Sequence, residues 1–170
     1  MQTAEWGPPG WHFLHSVTFG YPENPNETEK QNYKNFFDNV QYVLPCKFCK
    51  TSYVLIYKYI DISPYLESRN GLTFWLFIIH NLVNRKLKKK LEVFENVVVE
   101  YENLRAKCGK NDNSQQFKQC KAQQKIITTA DVRDSVDNTV EKYKNIARKQ
   151  IQDFYNSSEI IDPKIKCDHI

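Results

Sequence analysis

Apolar residues recur every third or fourth position through most of the first hundred residues and nowhere alternate convincingly, so this stretch predicts helices and no strands. Trp6-Gly7-Pro8-Pro9-Gly10 is read as a lead-in turn. Trp11, Leu14, His15 and Thr18 then share one face of a helix that runs to Phe19. Pro22 to Pro25 interrupts the pattern. A second helix over Glu27 to Leu44 carries Tyr33, Phe36, Phe37, Val40 and Val43 or Leu44 as its stripe. Pro45 stands where a helix start tolerates a missing N–H, and Cys46 to Tyr59 forms the third helix. Asp61 to Asn70, with Pro64, is a connector. Gly71 to Lys90 gives a long fourth helix carrying Trp75, Ile78, Ile79, Leu82 and Val83, and a short fifth, about Val93 to Leu104, ends the core.

The pattern changes after Cys108. Gly109 to Gln116 is polar and loop-like. Across Ala130 to Tyr155, Val132, Val136, Val140, Tyr143, Ala147, Ile151 and Phe154 recur at helical spacing, which makes one amphipathic helix. Its apolar stripe must dock on the core or on a partner. The tail from Asn156 to Ile170 is expected to be mobile. The expected division is therefore a helical domain over 1–107 and an extension over 108–170.

A chain of 170 residues can bury a core without disulfide staples. Its net charge of +4 comes from lysines interleaved with acids, so no nucleic-acid footprint is expected. Residues 1–10 contain no apolar stretch of the signal-peptide kind, and no apolar run approaches the roughly 20 residues of a membrane span. These features predict a cytoplasmic protein with no membrane partner. In a reducing compartment five cysteines are not a secreted framework, and a close pair points to redox chemistry or metal.

Cys46-Lys47-Phe48-Cys49 is that pair. At a helix N-terminus the orphan N–H groups and the helix dipole stabilise a thiolate, the reactive form of the side chain. Lys47 and Lys50 add positive potential, and two intervening residues allow a small disulfide ring to open and close. Half a zinc site, or two buried helix cysteines, fits the same four residues. Zinc needs a second ligand pair, and neither Cys108 with Cys120 nor His12 with His15 supplies a neat one. A thioredoxin-like arrangement needs a strand before the cysteines, where the pattern is helical. On the fourth helix His80, Asn81 and Asn84 lie on one side among Ile79, Leu82 and Val83, and asparagines there ask for partners. Lys88, one turn on, is within reach of a phosphate on that face. The run Arg85 to Lys90 either answers the negative end of the helix dipole or binds phosphate. Trp11 and His15 offer two flat rings one turn apart, or else plain core packing.

Taken in order, Gly7-Pro8-Pro9-Gly10-Trp11-His12-Phe13-Leu14-His15, Leu44-Pro45-Cys46-Lys47-Phe48-Cys49 and Trp75 through Lys89 resemble the Erv/ALR family of FAD-linked sulfhydryl oxidases. That family's pattern is Trp-x-x-x-His, Pro-Cys-x-x-Cys and His-Asn-x-Val-Asn-x-x-Leu-x-Lys, and the resemblance covers about residues 5 to 104. It implies an all-α fold, a four-helix bundle with a short fifth helix, here followed by the helical C-terminal extension. It implies FAD held by Gly7, Trp11, His15, Tyr53, His80, Asn81, Val83, Asn84, Leu87, Lys88 and Tyr101. Cys49 then faces the flavin and Cys46 is the more exposed sulfur. The implied activity is disulfide formation in protein dithiol substrates, with electrons passing from the cysteine pair through FAD to molecular oxygen and giving peroxide. The implied assembly is a homodimer. A zinc-binding or structural helical interaction module without redox activity is the alternative.

Three departures from the family pattern stand out. The cysteines that cellular members often pair between the fourth and fifth helices correspond to Phe77 and Phe94, so an apolar contact is expected in place of a disulfide. This pattern is similar to the oxidases of large cytoplasmic DNA viruses, which implies work in the host cytoplasm, a viral factory or the virion. Pro8 stands where an arginine is usual. The extension beyond Cys108 falls outside the resemblance, and Cys108, Cys120 and Cys167 are candidates for a relay pair or simply free thiols.

Overall fold

A computed structural model describes residues 2–106 and 128–157. It contains six α-helices: α1 (Thr3–Phe19), α2 (Glu27–Val43), α3 (Lys47–Tyr59), α4 (Arg69–Lys86), α5 (Phe94–Ala106) and α6 (Thr129–Asn156). A single 3-10 turn, Ser63–Tyr65, lies in the connector before α4. The relay candidates Cys108, Cys120 and Cys167, and the polar loop after Cys108, lie outside the described residues.

Local chemistry sets the starts of α2 and α4. Asn26 and Glu29 form a reciprocal capping box at α2, each side chain bonding the other's backbone N–H at 2.8–2.9 Å. Ser68 caps α4 by accepting from the Gly71 N–H at 3.1 Å. Trp6 to Gly10 departs from expectation, because α1 already begins at Thr3 and passes through both prolines. A proline's fixed φ is itself helical; what it removes is the N–H that would bond four residues back. For Pro8 and Pro9 those acceptors belong to Ala4 and Glu5, which are exposed, so water can replace the missing donors.

α4 is the central helix. Leu72, Trp75, Leu76 and Ile79 are fully buried, with Phe37 of α2 edge-on to Trp75 at 4.9 Å. The aromatic polar tips in this core are satisfied: Trp75 donates to the Ile60 carbonyl at 2.9 Å, Tyr21 to Leu66 at 2.8 Å and Tyr53 to Phe37 at 2.8 Å. Phe77 and Phe94 meet at 5.2 Å between ring centroids, and Phe74 packs edge-on against Phe94 at 5.1 Å. The expected apolar contact between α4 and α5 is thus present.

α6 docks on the core, against α3, α4 and α5. Val140, Tyr143, Ala147 and Phe154 of its stripe are buried. Tyr143 stacks on Tyr65 at 5.5 Å and its hydroxyl shares a 3.0 Å hydrogen bond with Ser68. It also occupies the space beside Gly71, where a β-carbon would stand 2.7 Å from the Tyr143 ring and 2.4 Å from the Tyr65 carbonyl oxygen.

The end of α4 differs from the sequence expectation as well. The helix stops at Lys86 rather than at Lys90. Lys88 takes a left-handed backbone, φ 54°, its N–H bonding the Arg85 carbonyl at 3.1 Å while the Lys89 N–H bonds that of Asn84 at 2.8 Å. This is a Schellman stop with lysine where glycine is the usual residue. Lys88, Lys89 and Lys90 therefore belong to a loop, and a helical wheel misplaces them.

Candidate active site

Cys46 is the N-cap of α3. Its sulfur accepts the Cys49 N–H at 3.4 Å, and the Thr3 hydroxyl of α1 approaches it at 4.0 Å. Both cysteines are half-buried and not joined in a disulfide. Partial burial pushes the Cys46 thiol up, but hydrogen bonds involving Cys49 and Thr3 outweigh it and hold the thiol below its ordinary value. The first turn of α3 thus supports a thiolate as the sequence predicts, and Thr3 is a donor that the sequence did not reveal.

Cys49, not Cys46, lines a cavity of about 870 Å³ between α1, α3, α4 and α5. That volume lies high in the range of small-molecule and cofactor sites, roughly 300–1,000 Å³. In its wall Trp11 stacks on His80 at 4.0 Å and 13°, and Nε2 of His15 shares a 3.1 Å hydrogen bond with Nδ1 of His80. Tyr101 stands beside them, 5.1 Å from the His15 ring and with its hydroxyl 3.4 Å from Nδ1 of His12. Burial, followed by the neighbouring His80 and His12, lowers His15 to about 3; burial, followed by Lys89, lowers His80 to about 4. Both imidazoles are therefore neutral at pH 7.

Two polar atoms in this wall are buried without a partner, Nδ1 of His15 and Nε1 of Trp6. Buried donors and acceptors are normally paired, so these two call for a polar ligand. Lys86, Lys89 and Lys90 at the rim suit phosphate oxygens, although Glu92 and Glu100 also reach the wall. Flat rings, a thiol and lysines lining one cavity fit the chemistry of FAD.

Of the residues implied by resemblance, Gly7, Trp11, His15, Cys49, Tyr53, His80, Val83, Asn84, Leu87 and Tyr101 line this one cavity. Cys46 lies just outside. Asn81 does not line it: its side chain accepts the Glu92 N–H at 2.8 Å and donates to the Glu92 carbonyl at 3.0 Å, fastening the loop between α4 and α5. Lys88 is also outside the wall, turned aside by its left-handed backbone, and Lys89 takes the place expected for it. The Leu-x-Lys spacing counted from Leu87 would have led to Lys89. Trp6 and His12 were missed for different reasons. Trp6 was hidden in a supposed turn, and His12 is an exposed helix residue with no local signal. Among the described residues no group of three or more His, Cys, Asp or Glu side chains is placed to hold a metal ion, so the zinc alternative finds no donor set there.

The sequence pattern of the Erv1/Alr family matches residues 9–103. Over 99 residues the chain is 39% identical to a probable FAD-linked sulfhydryl oxidase of Acanthamoeba polyphaga mimivirus, a match covering 58% of this chain and 69% of that protein. It is 37% identical over 84 residues to the mitochondrial FAD-linked sulfhydryl oxidase of Saccharomyces cerevisiae, covering 49% of this chain and 43% of the yeast protein. The crystal structure of the FAD-binding domain of yeast Erv1 superposes with a TM-score of 0.54 at 31% identity, covering 60% of this chain and 95% of that domain. All of α6 falls beyond the matched family pattern.

Proposed function

Because the chain belongs to the Erv1/Alr family, we propose that it is a FAD-dependent sulfhydryl oxidase that forms disulfide bonds in protein thiols. One observation carries this reading: a dithiol at a helix N-terminus has one sulfur in the wall of a cofactor-sized cavity and the other beside it. Trp11, His15, His80, Asn84 and Tyr101 would hold the cofactor, with Lys86, Lys89 and Lys90 at the rim for its phosphates. FAD, when bound, accepts the two electrons of the dithiol and passes them to molecular oxygen, giving peroxide.

The chain's own chemistry is thiol–disulfide exchange. With the 46–49 pair oxidised, a client thiolate attacks the Cys46 sulfur, the 46–49 bond breaks, and Cys49 leaves as a thiolate in the cavity wall. A second client thiolate then attacks the client sulfur of this mixed disulfide and releases Cys46 as a thiolate. The client departs oxidised and the pair is left reduced. Cys46 is suited to the outer role because it lies outside the cavity, where the α3 N-terminus and Thr3 stabilise its negative charge. Neutral His15 and His80 add no positive charge of their own, leaving the lysine rim to attract anionic groups.

The same reading includes a homodimer, for which Phe13, 58% exposed and edge-on to Phe36, offers an apolar surface to cover. It also places the work in the host cytoplasm or viral factory of a large DNA virus, which the mimivirus relative supports. No described helix is long and apolar enough to cross a membrane.

Purified protein should be yellow with a flavin absorbance band. Cys49→Ala should abolish oxygen consumption with dithiothreitol while retaining FAD. A folded, colourless preparation counts against the oxidase, and full turnover by the variant would remove Cys49 from its role.

A further inference from the structure

Trp6 precedes the matched family pattern, yet it forms part of the cavity wall. Its ring lies against Gly10, where a β-carbon would stand 3.2 Å from two of its carbons, so the absence of a side chain at Gly10 makes room for the indole. The edge that matters is the polar one. Nε1 is buried and has no hydrogen-bond partner, whereas the equivalent atom of Trp75 is paired with Ile60. An indole nitrogen only donates, so the missing partner is an acceptor.

Thr3, one turn before Trp6 and on the same helical face, reaches the Cys46 sulfur at 4.0 Å. Trp6 thus shares its face of α1 with a residue that reaches the outer sulfur, and it lines the same cavity as Cys49. We propose that Trp6 is a cofactor-binding residue, donating its indole N–H to an oxygen or nitrogen acceptor of the bound FAD. This assignment rests on the oxidase reading and adds to it a contact from the first turn of α1. The same turn brings Thr3 to the outer sulfur, so it spans both halves of the site.

Trp6→Phe keeps an aromatic ring at this position and removes the N–H donor together with part of the indole's packing area. The full-length holoenzyme and this variant are compared by FAD release on dilution, followed as the return of free-flavin fluorescence. Loss of one buried hydrogen bond should speed release roughly five- to tenfold. Release at the parent rate would overturn the assignment. If the variant folds poorly, proton NMR of the parent holoenzyme decides. A Trp6 indole hydrogen protected from solvent exchange supports the bond, and one exchanging like free indole refutes it. A parent protein that carries no flavin would instead sink the oxidase reading, so the two failures remain distinct.

Discussion

The two halves of α4 are built to different standards. Its first half, from Ser68 to Ile79, is a fitted core: a capped start, Trp75 fully buried with its nitrogen paired, and Gly71 pressed between Tyr65 and Tyr143. Its second half, from His80 to Lys86, faces a cavity, holds one imidazole in contact with another and runs into a left-handed lysine. Local preference and global packing agree in the first half. They disagree in the second, where the unpaired Nδ1 of His15, hydrogen-bonded on its other side to His80, marks a wall shaped for a ligand. The first half supplies the rigidity that the second spends on binding.

The sharpest way to break this contrast is at the close-packed end. Gly71→Ala forces a β-carbon to 2.4 Å from the Tyr65 carbonyl oxygen, a contact relieved only by backbone movement and displacement of Tyr143. It should cost about 3 kcal/mol in urea unfolding. A cost under about 1 kcal/mol would show that α6 yields easily and that this end is no tighter than the other.

Acid probes the cavity end. His15 and His80 remain neutral in the folded protein down to about pH 3 and about pH 4, chiefly because they are buried. In the unfolded chain they titrate near the ordinary value of about 6.5. Between those limits the unfolded state binds more protons, so their contribution is complete above about pH 6.5 and declines as pH falls towards 4. Thermal midpoints taken from pH 7 to 4.5 should decline, with a shallower slope in His15→Gln. An identical slope in that variant would assign the acid sensitivity to other groups.

The smallest effect is expected at the stop of α4. Lys88→Gly removes the cost of a left-handed backbone and should stabilise the chain by about 1 kcal/mol, with FAD content unchanged. Diminished FAD content would return Lys88 to the binding site.

Helical periodicity in Tyr33 to Leu44 and Trp75 to Val83 was enough to predict a bundle, because a buried stripe must repeat with the turn of the helix. The Phe77–Phe94 contact was legible for a related reason, since two large apolar side chains at the positions of a lost cross-link remain adjacent in the same fold. Trp6 was not legible, because Pro8 and Pro9 signal a break to any local rule while their exposed acceptors remove most of its cost. The placement of Asn81 was not legible, because an asparagine on a helix asks for a partner without saying which one. Its partner proved to be the Glu92 backbone, eleven residues on.

The sequence by itself determined the helices, the reactive pair at the start of α3 and the chemistry those residues favour, since all of these depend on near neighbours along the chain. Only the tertiary structure decided that α6 folds back onto the core, that Lys89 rather than Lys88 reaches the cavity, and that Trp6 and His15 present unpaired nitrogens there. Such facts depend on which distant side chains exclude water from one another, and helical spacing contains no record of that.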